Sequence, residues 1–479
     1  MARPICSLLS LLFCLAMVGG AMASKLAPAT QKRPPNIVLI FIDDMGWGDL
    51  SCYGQTQYQT PILDRMAAEG TRFTDFLVAS PGCSPSRAAI LTGCYPQRVS
   101  VPEVLNPDSP TGLSLDEQTL AELLKARGYA TGMIGKWHLG VNNLMPRAQG
   151  FDEYFGLPYS NDMWPPNGKR WPTLHLFQNE KVVDTISTLA DQDRLTRRYT
   201  EKAVDFIHRH KNHPFFLYLP HSMVHVPLGV SSSFRGKSRV NLYADTVMEV
   251  DWAVGEVLRA LKRNGLDDDT LVWFTADNGP WLPYGDHAGS AGPFREGKGT
   301  TFEGGFREPC IVRWPGHVPA GRVEDKFLTA LDVVPTLCHV TGATLPAKQI
   351  DGVNAWDLVS GKPEATAAHD VFYYYYPGEL RALRWQNWKL QLPHTDRHQA
   401  GLPGRGGKWA GEVNIPVPMA LYNLANDPGE KMDVSARYPA IVAKLQKLAD
   451  EARADLGDSI KKIKGHGVRA PGRVEKGSR

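Results

Sequence analysis

The chain has 479 residues, of which 43% are hydrophobic and 22% are charged, and these values exclude a fibrous or intrinsically disordered protein. They are typical of a globular protein with one large domain and a smaller one. The formal charge of +3 conceals an asymmetry, because residues 461–479 carry seven Lys or Arg against a single Glu. The remainder of the chain is net negative and offers no long-range attraction to anions, and we expect no nucleic-acid partner.

The first 23 residues have the pattern of a signal peptide. Arg3 supplies the basic start, residues 8–18 the apolar stretch, and residues 21–23 the small-residue cleavage site. No later apolar run approaches the length that spans a bilayer. We therefore expect an exported protein, either periplasmic or secreted, or held in a lysosome-like compartment in a eukaryote, without stable membrane insertion. Residues 24–35 are predicted to form a linker.

The first predicted strand ends in two adjacent carboxylates. Residues 36–42 form a run that is apolar from Ile37 onward, which predicts a strand buried on both faces. Asp43 and Asp44 follow directly, at the end of the strand where α/β sheets place their ligands. Hard carboxylate oxygens at this position suit Ca²⁺ or Mg²⁺. The alternative is a solvated acidic turn.

A cysteine follows at the predicted start of a helix. Residues 83–87 read Cys-Ser-Pro-Ser-Arg and lead into helix formers that end at Gly93, which places Cys83 at a helix N-terminus, where anions are favoured. The alternative is a buried cysteine beside an ordinary helix. With a helix opened by Thr60 and another headed by a capping box from Ser114 to Glu117, the alternation of strands and helices predicts a doubly wound α/β domain.

The next predicted strand, at about residues 129–134, leads to Lys136 and His138. These residues are two apart, so an extended backbone would point both side chains to the same face, where one could hold an anion and the other could handle a proton. The alternative is a surface lysine beside a packed histidine. Ser160 follows in a loop, and residues 161–190 show no clear element and are predicted to line a substrate cleft.

Polar residues also follow the two later buried strands. The strand predicted at residues 214–219 is followed by His221 and His225, either of which could instead be structural. The strand predicted at residues 270–275 ends in Asp277 and Asn278, which extends the oxygen-rich set of the first strand. A glycine-rich segment then supplies Lys298, for which the alternative is a solvated side chain in a flexible loop.

The composition changes after a linker at residues 362–368. Short antiparallel strands are predicted at residues 371–376, 383–392 and 420–424, with one helix at residues 435–456 packing on them. The predicted organisation is therefore a catalytic domain at residues 36–358 and an α+β subdomain at residues 369–458. Residues 459–479 are predicted to be a disordered basic tail, or alternatively a weak tether to anionic polysaccharide.

Six of these motifs, in this order, resemble those of the type I sulfatases, nearest the branch of arylsulfatase A and N-acetylgalactosamine-6-sulfatase. They are Asp-Asp at 43, Cys-x-Pro-Ser-Arg at 83, Gly-Lys-x-His at 135, His-x-Pro at 225, Asp-Asn at 277 and Gly-Lys-x-Thr-Thr at 297. The resemblance implies an alkaline phosphatase-like fold. It also implies that Cys83 is oxidised to formylglycine by a maturation enzyme, which agrees with the odd number of cysteines beyond the signal peptide; whether any disulfide forms stays open.

The resemblance also implies a role for each candidate residue. The metal, Ca²⁺ with Mg²⁺ as the alternative, would be held by Asp43, Asp44, the modified Cys83, Asp277 and Asn278. Sulfate oxygens would be held by Lys136, Ser160, His225 and Lys298, and Arg87 would orient the aldehyde hydrate. One hydroxyl of that hydrate would attack sulfur, His225 or Lys298 would protonate the leaving oxygen, and His138 would deprotonate the second hydroxyl.

We expect a sulfated carbohydrate as the substrate, with Trp164, Trp171 and Trp281 offering aromatic faces to sugar rings. Two alternatives stay open. One is a phosphate or phosphonate ester hydrolase of the same superfamily, which would commonly use Thr or Ser as the nucleophile or bind two zinc ions. The other is a catalytically inactive protein that binds sulfated glycans, in which Cys83 would remain unmodified.

Overall fold

The apolar runs of the sequence form the middle of a ten-stranded mixed sheet in the computed structural model, which describes residues 33–475. The strands of the described residues are β1 Asn36–Ile42, β2 Thr71–Phe73, β3 Phe76–Leu77, β4 Thr111–Gly112, β5 Ala130–Lys136, β6 Glu153–Leu157, β7 Leu174–Gln178, β8 Lys181–Ile186, β9 Phe215–Pro220, β10 Thr270–Ala276, β11 Cys310–Arg313, β12 Arg322–Glu324, β13 Leu328–Thr329, β14 Val371–Tyr375, β15 Leu380–Trp385, β16 Trp388–Gln391, β17 His394–Gln399, β18 Glu412–Val417, β19 Ala420–Asn423 and β20 Gly472–Arg473.

Helices cover both faces of this sheet. They are α1 Pro61–Ala68, α2 Cys83–Thr92, α3 Leu120–Ala126, α4 Leu189–Gln192, α5 Leu195–Arg209, α6 Leu242–Arg263, α7 Glu303–Phe306, α8 Val333–Thr341, α9 Trp356–Val359 and α10 Pro439–Leu456. Alternate residues of β1 belong to separate apolar cores, with Ile40 packed among residues of α1, α5 and α6, and Leu39 among residues of α2, α3 and α8. Burial on both faces explains why β1 is apolar from Ile37 to Ile42.

The order of the strands brings the polar strand ends together. The central sheet runs β12-β2-β11-β10-β1-β9-β5-β6-β7-β8, and the consecutive strands from β10 to β6 are parallel. The carboxyl ends of these parallel strands therefore meet at one edge of the sheet. The predicted α/β class, with a large mixed sheet and a smaller antiparallel subdomain, is confirmed.

The C-terminal subdomain is an antiparallel sheet in the order β14-β15-β16-β19, with α10 packed on β15 and β16. A buried ion cluster, the docking cluster of Glu303, Lys389 and Glu430, joins it to α7 of the larger domain. Lys389 Nζ lies 3.0 Å from Glu303 Oε1 and 2.9 Å from Glu430 Oε1. Tyr374 donates its hydroxyl proton to Glu303 as well. The hairpin of β17 and β18 also contacts the larger domain, because Glu412 of β18 accepts a hydrogen bond from Trp281, which follows β10 in the chain.

Two predictions about irregular segments were wrong. Residues 161–190 contain the β7–β8 hairpin, which pairs with β6 and extends the central sheet. The basic tail is not disordered between residues 459 and 475, because β20 pairs with β4 and Arg469 contacts Glu117 at 2.8 Å. The acidic partner, Glu117, lies far from the tail in sequence, so the tail's own residues do not reveal the contact that holds it. None of the helices in residues 33–475 has the length and apolar character needed to cross a bilayer.

Candidate active site

Two neighbouring strand ends place three carboxylates and an amide side by side. Asp43 and Asp44 follow β1, and Asp277 and Asn278 follow its parallel neighbour β10. The Asp44 backbone N–H donates to Asp277 Oδ1 at 3.1 Å, and the Asn278 Nδ2 group donates to Asp44 Oδ1 at 2.7 Å. Asp44 has a φ of 58°, a left-handed conformation that Asp tolerates better than most residues. All four side chains are buried, so the solvated acidic turn is excluded.

Cys83 is the first residue of α2 and lies against this oxygen cluster. Gly82 precedes the helix with extended backbone, and the Cys83 Sγ atom lies 3.5 Å from Asp43 Oδ1. Pro85 is the third helical residue rather than the first. Burial raises the pKa of the Cys83 thiol well above its usual range, although Lys136 and Lys298 oppose this shift. An unmodified Cys83 would therefore stay a neutral thiol, which is a poor nucleophile.

Three cations balance the three carboxylates, and together they form the catalytic cluster of Asp43, Asp44, Asp277, Arg87, Lys136 and Lys298. Arg87 Nη2 lies 2.7 Å from Asp277 Oδ2 and 3.4 Å from Asp43 Oδ2. Lys136 Nζ lies 2.5 Å from Asp43 Oδ2, and Lys298 Nζ lies 2.7 Å from Asp44 Oδ1. The Lys136 side chain is fully buried and that of Lys298 is 11% exposed, which excludes the surface-lysine alternatives.

The carboxylates of the catalytic cluster differ in proton affinity. Burial alone would raise the pKa of Asp43, but the nearby Lys136 and Arg87 hold it well below its usual range. Burial raises the pKa of Asp44 despite the contact with Lys298, and burial together with the charge of Asp43 raises the pKa of Asp277. A further positive charge near Asp44 and Asp277 would therefore stabilise their ionised forms.

The chemistry of these ligands fits a hard divalent cation. Single ligand atoms of Asp43, Asp44, Cys83 and His225 all lie within 4.8 Å of one another. Among residues 33–475, Asn278 Oδ1 is buried without a hydrogen-bond partner, as expected for an oxygen that binds an ion. Carboxylate and amide oxygens are the ligands that Ca²⁺ and Mg²⁺ prefer.

His138 is held as a neutral base. Its Nε2 atom lies 2.7 Å from the Leu105 carbonyl oxygen, which can only accept, so Nε2 carries the proton and Nδ1 has a free lone pair. Nδ1 is buried and has no hydrogen-bond partner among the described residues. Burial, together with Lys136 and Arg87, holds the pKa of His138 well below its usual range. The same-face prediction for Lys136 and His138 does not apply, because β5 ends at Lys136 and His138 turns with a φ of 60°.

His225 and Ser160 lie near different members of the catalytic cluster. His225 Nδ1 is 2.5 Å from the Val226 carbonyl oxygen, and Nε2 is 3.6 Å from Asp44 Oδ2. Burial, with a further contribution from Lys298, lowers the pKa of His225 to about 3. Ser160 accepts a hydrogen bond of 3.1 Å from Lys136 Nζ. His221 is buried behind the site, and neither of its ring nitrogens has a hydrogen-bond partner among the described residues.

The C-terminal subdomain builds a wall of the site that no sequence motif indicates. Glu412 of β18 accepts a hydrogen bond from Trp281, and Arg397 of β17 lies so close to Gly299 that a Cβ atom there would be 2.7 Å from Nη2. A Cβ atom at Gly82 would likewise lie 3.1 Å from the ring of Tyr376. No local sequence signal marks these residues.

The three tryptophans expected to face sugar rings lie in different surroundings. Trp281 borders the catalytic cluster, with its ring 4.4 Å from Lys298 Nζ. Trp171 is partly covered by Arg170, whose guanidinium carbon lies 3.9 Å from the ring centroid. Trp164 is 3% exposed and packs in the apolar core, so the expectation that it offers a face to the substrate was wrong.

Comparisons with known proteins identify the family of the chain. Residues 35–343 match the family described as Sulfatase, and residues 367–467 match the C-terminal region of aryl-sulfatase. Human arylsulfatase A is 39% identical over 454 residues, covering 89% of each chain. Human N-acetylgalactosamine-6-sulfatase is 36% identical, covering 88% of this chain and 85% of the relative. The crystal structure of Ps i-CgsB with k-i-k-neocarrahexaose is 31% identical, with a TM-score of 0.73, covering 88% of this chain and 92% of that one.

Proposed function

Because the chain belongs to the sulfatase family, we propose that it hydrolyses sulfate esters of carbohydrates by means of a formylglycine derived from Cys83 and a bound divalent cation. The observation that carries this proposal is the position of Cys83. It begins α2, contacts Asp43, and lies among the three cations of the catalytic cluster. A neutral thiol there has no evident use, whereas an aldehyde hydrate would have all the charged partners that its chemistry needs.

The charges of the site support attack on a sulfate ester. Sulfate oxygens repel a nucleophile, and Lys136 and Lys298 would reduce this repulsion by binding those oxygens together with Ser160 and His225. A cation held by Asp43, Asp44, Asp277, Asn278 and residue 83 would act as a Lewis acid on the sulfate. Hydrated formylglycine would supply two hydroxyls on one carbon: the oxygen of one would attack sulfur as the ester S–O bond breaks and the alcohol leaves with a proton. Loss of the proton from the other would reform the C=O bond and expel sulfate, and water would then hydrate the aldehyde again. Arg87 would orient this group from its place between Asp43 and Asp277.

The two histidines have different proton states in this scheme. His138 keeps a free lone pair on Nδ1, which suits the general base that removes the proton of the second hydroxyl. His225 already donates from Nδ1 to a carbonyl, so it must gain a proton on Nε2 before it can act as an acid. Lys298, whose pKa is raised by Asp44 against the effect of burial, is the alternative proton donor.

For the substrate, we propose a sulfate on a galactose- or hexosamine-type sugar, at the 6-position or one placed similarly. One relative is named for N-acetylgalactosamine 6-sulfate, and one similar structure was solved with a neocarrahexaose. Binding energy from the sugar can be used in the transition state, so the right saccharide should exceed nitrophenyl sulfate in kcat/KM. Export through residues 1–23, which lie outside the described residues, would bring the enzyme to such glycans.

The test combines mass spectrometry with a substrate screen. When the protein is made together with a formylglycine-generating enzyme, the peptide containing residue 83 should carry an aldehyde, whereas the peptide containing the buried Cys94 should keep its thiol. The same protein should release sulfate from sulfated mono- and oligosaccharides in the presence of Ca²⁺ or Mg²⁺. Cys83→Ala should reduce turnover to background, and Cys94→Ala should not.

Three outcomes would contradict the proposal. Full turnover by Cys83→Ala would exclude the formylglycine mechanism. Preferential hydrolysis of phosphate or phosphonate esters would favour the hydrolase alternative of the same superfamily. Tight binding of sulfated glycans without any turnover, together with an unmodified thiol at residue 83, would indicate an inactive glycan-binding protein.

A further inference from the structure

Trp281 contacts two groups that the proposed function assigns to sulfate binding and proton transfer. Lys298 Nζ lies 4.4 Å from the centroid of the Trp281 ring, a distance at which an ammonium group is attracted to an aromatic face. The ring of His225 lies 5.5 Å from the same indole. The Lys298 backbone N–H donates to the Pro280 carbonyl at 3.0 Å, which ties the lysine to the residue preceding Trp281. Trp281 is therefore the common support of Lys298 and His225.

The β17–β18 hairpin of the C-terminal subdomain anchors this indole. Trp281 Nε1 donates to Glu412 Oε1 at 3.2 Å, and Arg397 Nη1 donates to the other oxygen, Oε2, also at 3.2 Å. Arg397 Nη2 in turn donates to the Tyr376 hydroxyl at 3.0 Å. These connected hydrogen bonds hold the N–H edge of the indole and so fix the plane of its ring.

The loop between β17 and β18 also holds the backbone around Trp281. The backbone N–H groups of Gly404 and Ala410 both donate to the Pro283 carbonyl, each at 3.0 Å. The N–H of Gly406 donates to Asp286 Oδ1 at 2.8 Å. The segment that follows Trp281 is thus clamped by the subdomain through backbone contacts that do not depend on Glu412.

We propose that Glu412 and Trp281 are positioning residues, through which the C-terminal subdomain aligns Lys298 and His225 for the reaction. A lysine side chain has several rotatable bonds, and holding its ammonium group in one place has an entropic cost at each turnover. Because Glu412 already fixes the indole, the Lys298 side chain is ordered before the substrate binds and is directed toward Asp44 and the substrate. This inference rests on the proposed function, because it assigns Lys298 and His225 the roles given there.

A positioning role differs measurably from a sugar-binding role for Trp281. If Trp281 mainly stacks on a sugar ring, its loss should raise KM for saccharides and leave small aryl sulfates unaffected. If it positions Lys298, its loss should lower kcat for both kinds of substrate with little change in KM, because the affected contact stabilises charge in the transition state.

The experiment is a double-mutant cycle in the mature enzyme, with nitrophenyl sulfate and the preferred saccharide as substrates. Trp281→Phe keeps an aromatic ring but removes the N–H donor, and Glu412→Ala removes the acceptor. Each should lower kcat about 10-fold on both substrates, and the double variant should lose no more than either single variant, because both remove the same hydrogen bond. Glu412→Gln, whose amide oxygen still accepts, should recover most of the loss, and Asn414→Ala, an exposed change on the same strand, should match the wild type.

A spectroscopic measurement separates this inference from the proposed function. The indole N–H resonance of Trp281, identified by its absence in Trp281→Phe, should shift in Glu412→Ala and stay in place in Asn414→Ala. A wild-type protein without sulfatase activity would overturn the proposed function. The shift in Glu412→Ala would still show that Glu412 holds the indole of Trp281. Normal kcat in Glu412→Ala, multiplicative losses in the double variant, or a loss confined to KM for saccharides would overturn the positioning role alone.

Discussion

The catalytic cluster and the docking cluster are both groups of buried charges, yet they differ in what surrounds them. The docking cluster joins two parts of the chain, and its Lys389 is fully buried between two carboxylates. Lys389 and nearby arginines hold the pKa of Glu303 low against burial, whereas burial and the charge of Glu303 raise the pKa of Glu430. Lys389 therefore pairs with both carboxylates, and the surrounding charges favour the ionised form of Glu303 more than that of Glu430.

The catalytic cluster lies instead at the strand ends and reaches the surface. Its Lys298 is partly exposed, and the ligand-like atoms Asn278 Oδ1 and His138 Nδ1 have no partner within the described residues. Free acceptors beside balanced charges can receive a cation or a proton. A buried ion pair therefore does not by itself indicate function, and neither does an unused acceptor, because Glu303 Oε2 of the docking cluster also lacks a hydrogen-bond partner among residues 33–475. The position at the strand ends, with a partly exposed lysine, distinguishes the catalytic cluster.

The largest effect on stability is expected in the docking cluster. Lys389→Met should lower the free energy of unfolding by about 3 to 5 kcal/mol, because it leaves two buried carboxylates without their cation. Urea unfolding would measure the loss, and Lys447→Met, an exposed change in α10, should leave stability nearly unchanged. The kcat/KM of the folded fraction should stay within about threefold of the wild type. Equal stability of the two variants would contradict the structural role of the docking cluster.

Loss of a lysine from the catalytic cluster should act mainly on turnover. Lys136→Ala and Lys298→Ala should each lower kcat/KM roughly 10²-fold or more, because each removes a group that stabilises transition-state charge. Lys447→Ala is the matched control.

Stability measurements would complete this comparison. Lys136→Ala leaves Asp43 without its closest partner, so its melting temperature should fall more in EDTA than in Ca²⁺, since a bound cation would replace the missing charge. Near-normal kcat/KM with a large melting shift in both conditions would assign the lysines of the catalytic cluster to stability, as in the docking cluster.

The sequence was sufficient to predict the features of the site that follow from strand order. The polar pairs after β1 and β10 come together because parallel neighbours end at the same edge, and the helix at Cys83 begins where its composition predicted. Local backbone conformation was harder to predict. The capping box of α3 is formed by Thr119 and Glu122, not by Ser114 and Glu117, although both pairs match the same pattern.

Long-range contacts explain most of what the sequence could not show. Glu117 pairs with Arg469 of the C-terminal segment instead of capping a helix. Glu412 and Trp281 are 131 residues apart, and the hydrogen bond between them depends on how the β17–β18 hairpin docks on the larger domain. Neither residue stands in a motif; Trp281 was expected only to face a sugar ring, and its contact with Glu412 follows from the packing of the two regions.

The smallest effect on the free energy of unfolding is expected from an exposed ion pair. Comparing this pair with the buried docking cluster shows how much burial contributes. Glu153 Oε1 lies 2.9 Å from His210 Nε2 and 2.7 Å from Arg209 Nη1. Hydrogen bonds from His210 and Arg209, opposed by partial burial, lower the pKa of Glu153 from 4.5 to about 2. Because its folded-state pKa is depressed, the stabilisation is present above pH 4.5 and should be lost as the pH falls toward 2.

The side chains of Glu153 and Arg209 are 37% and 43% exposed, so solvent screening should limit this stabilisation to less than about 1 kcal/mol. Urea unfolding of the wild type and Glu153→Gln should therefore differ slightly at pH 7, less at pH 4, and not measurably near pH 2. High salt should reduce the difference at pH 7, whereas it should leave the effect of Lys389→Met largely intact, because buried charges are screened much less. A salt-sensitive Lys389 effect, or a Glu153 effect as large as that of Lys389, would mean that pairing rather than burial determines the energy of these clusters.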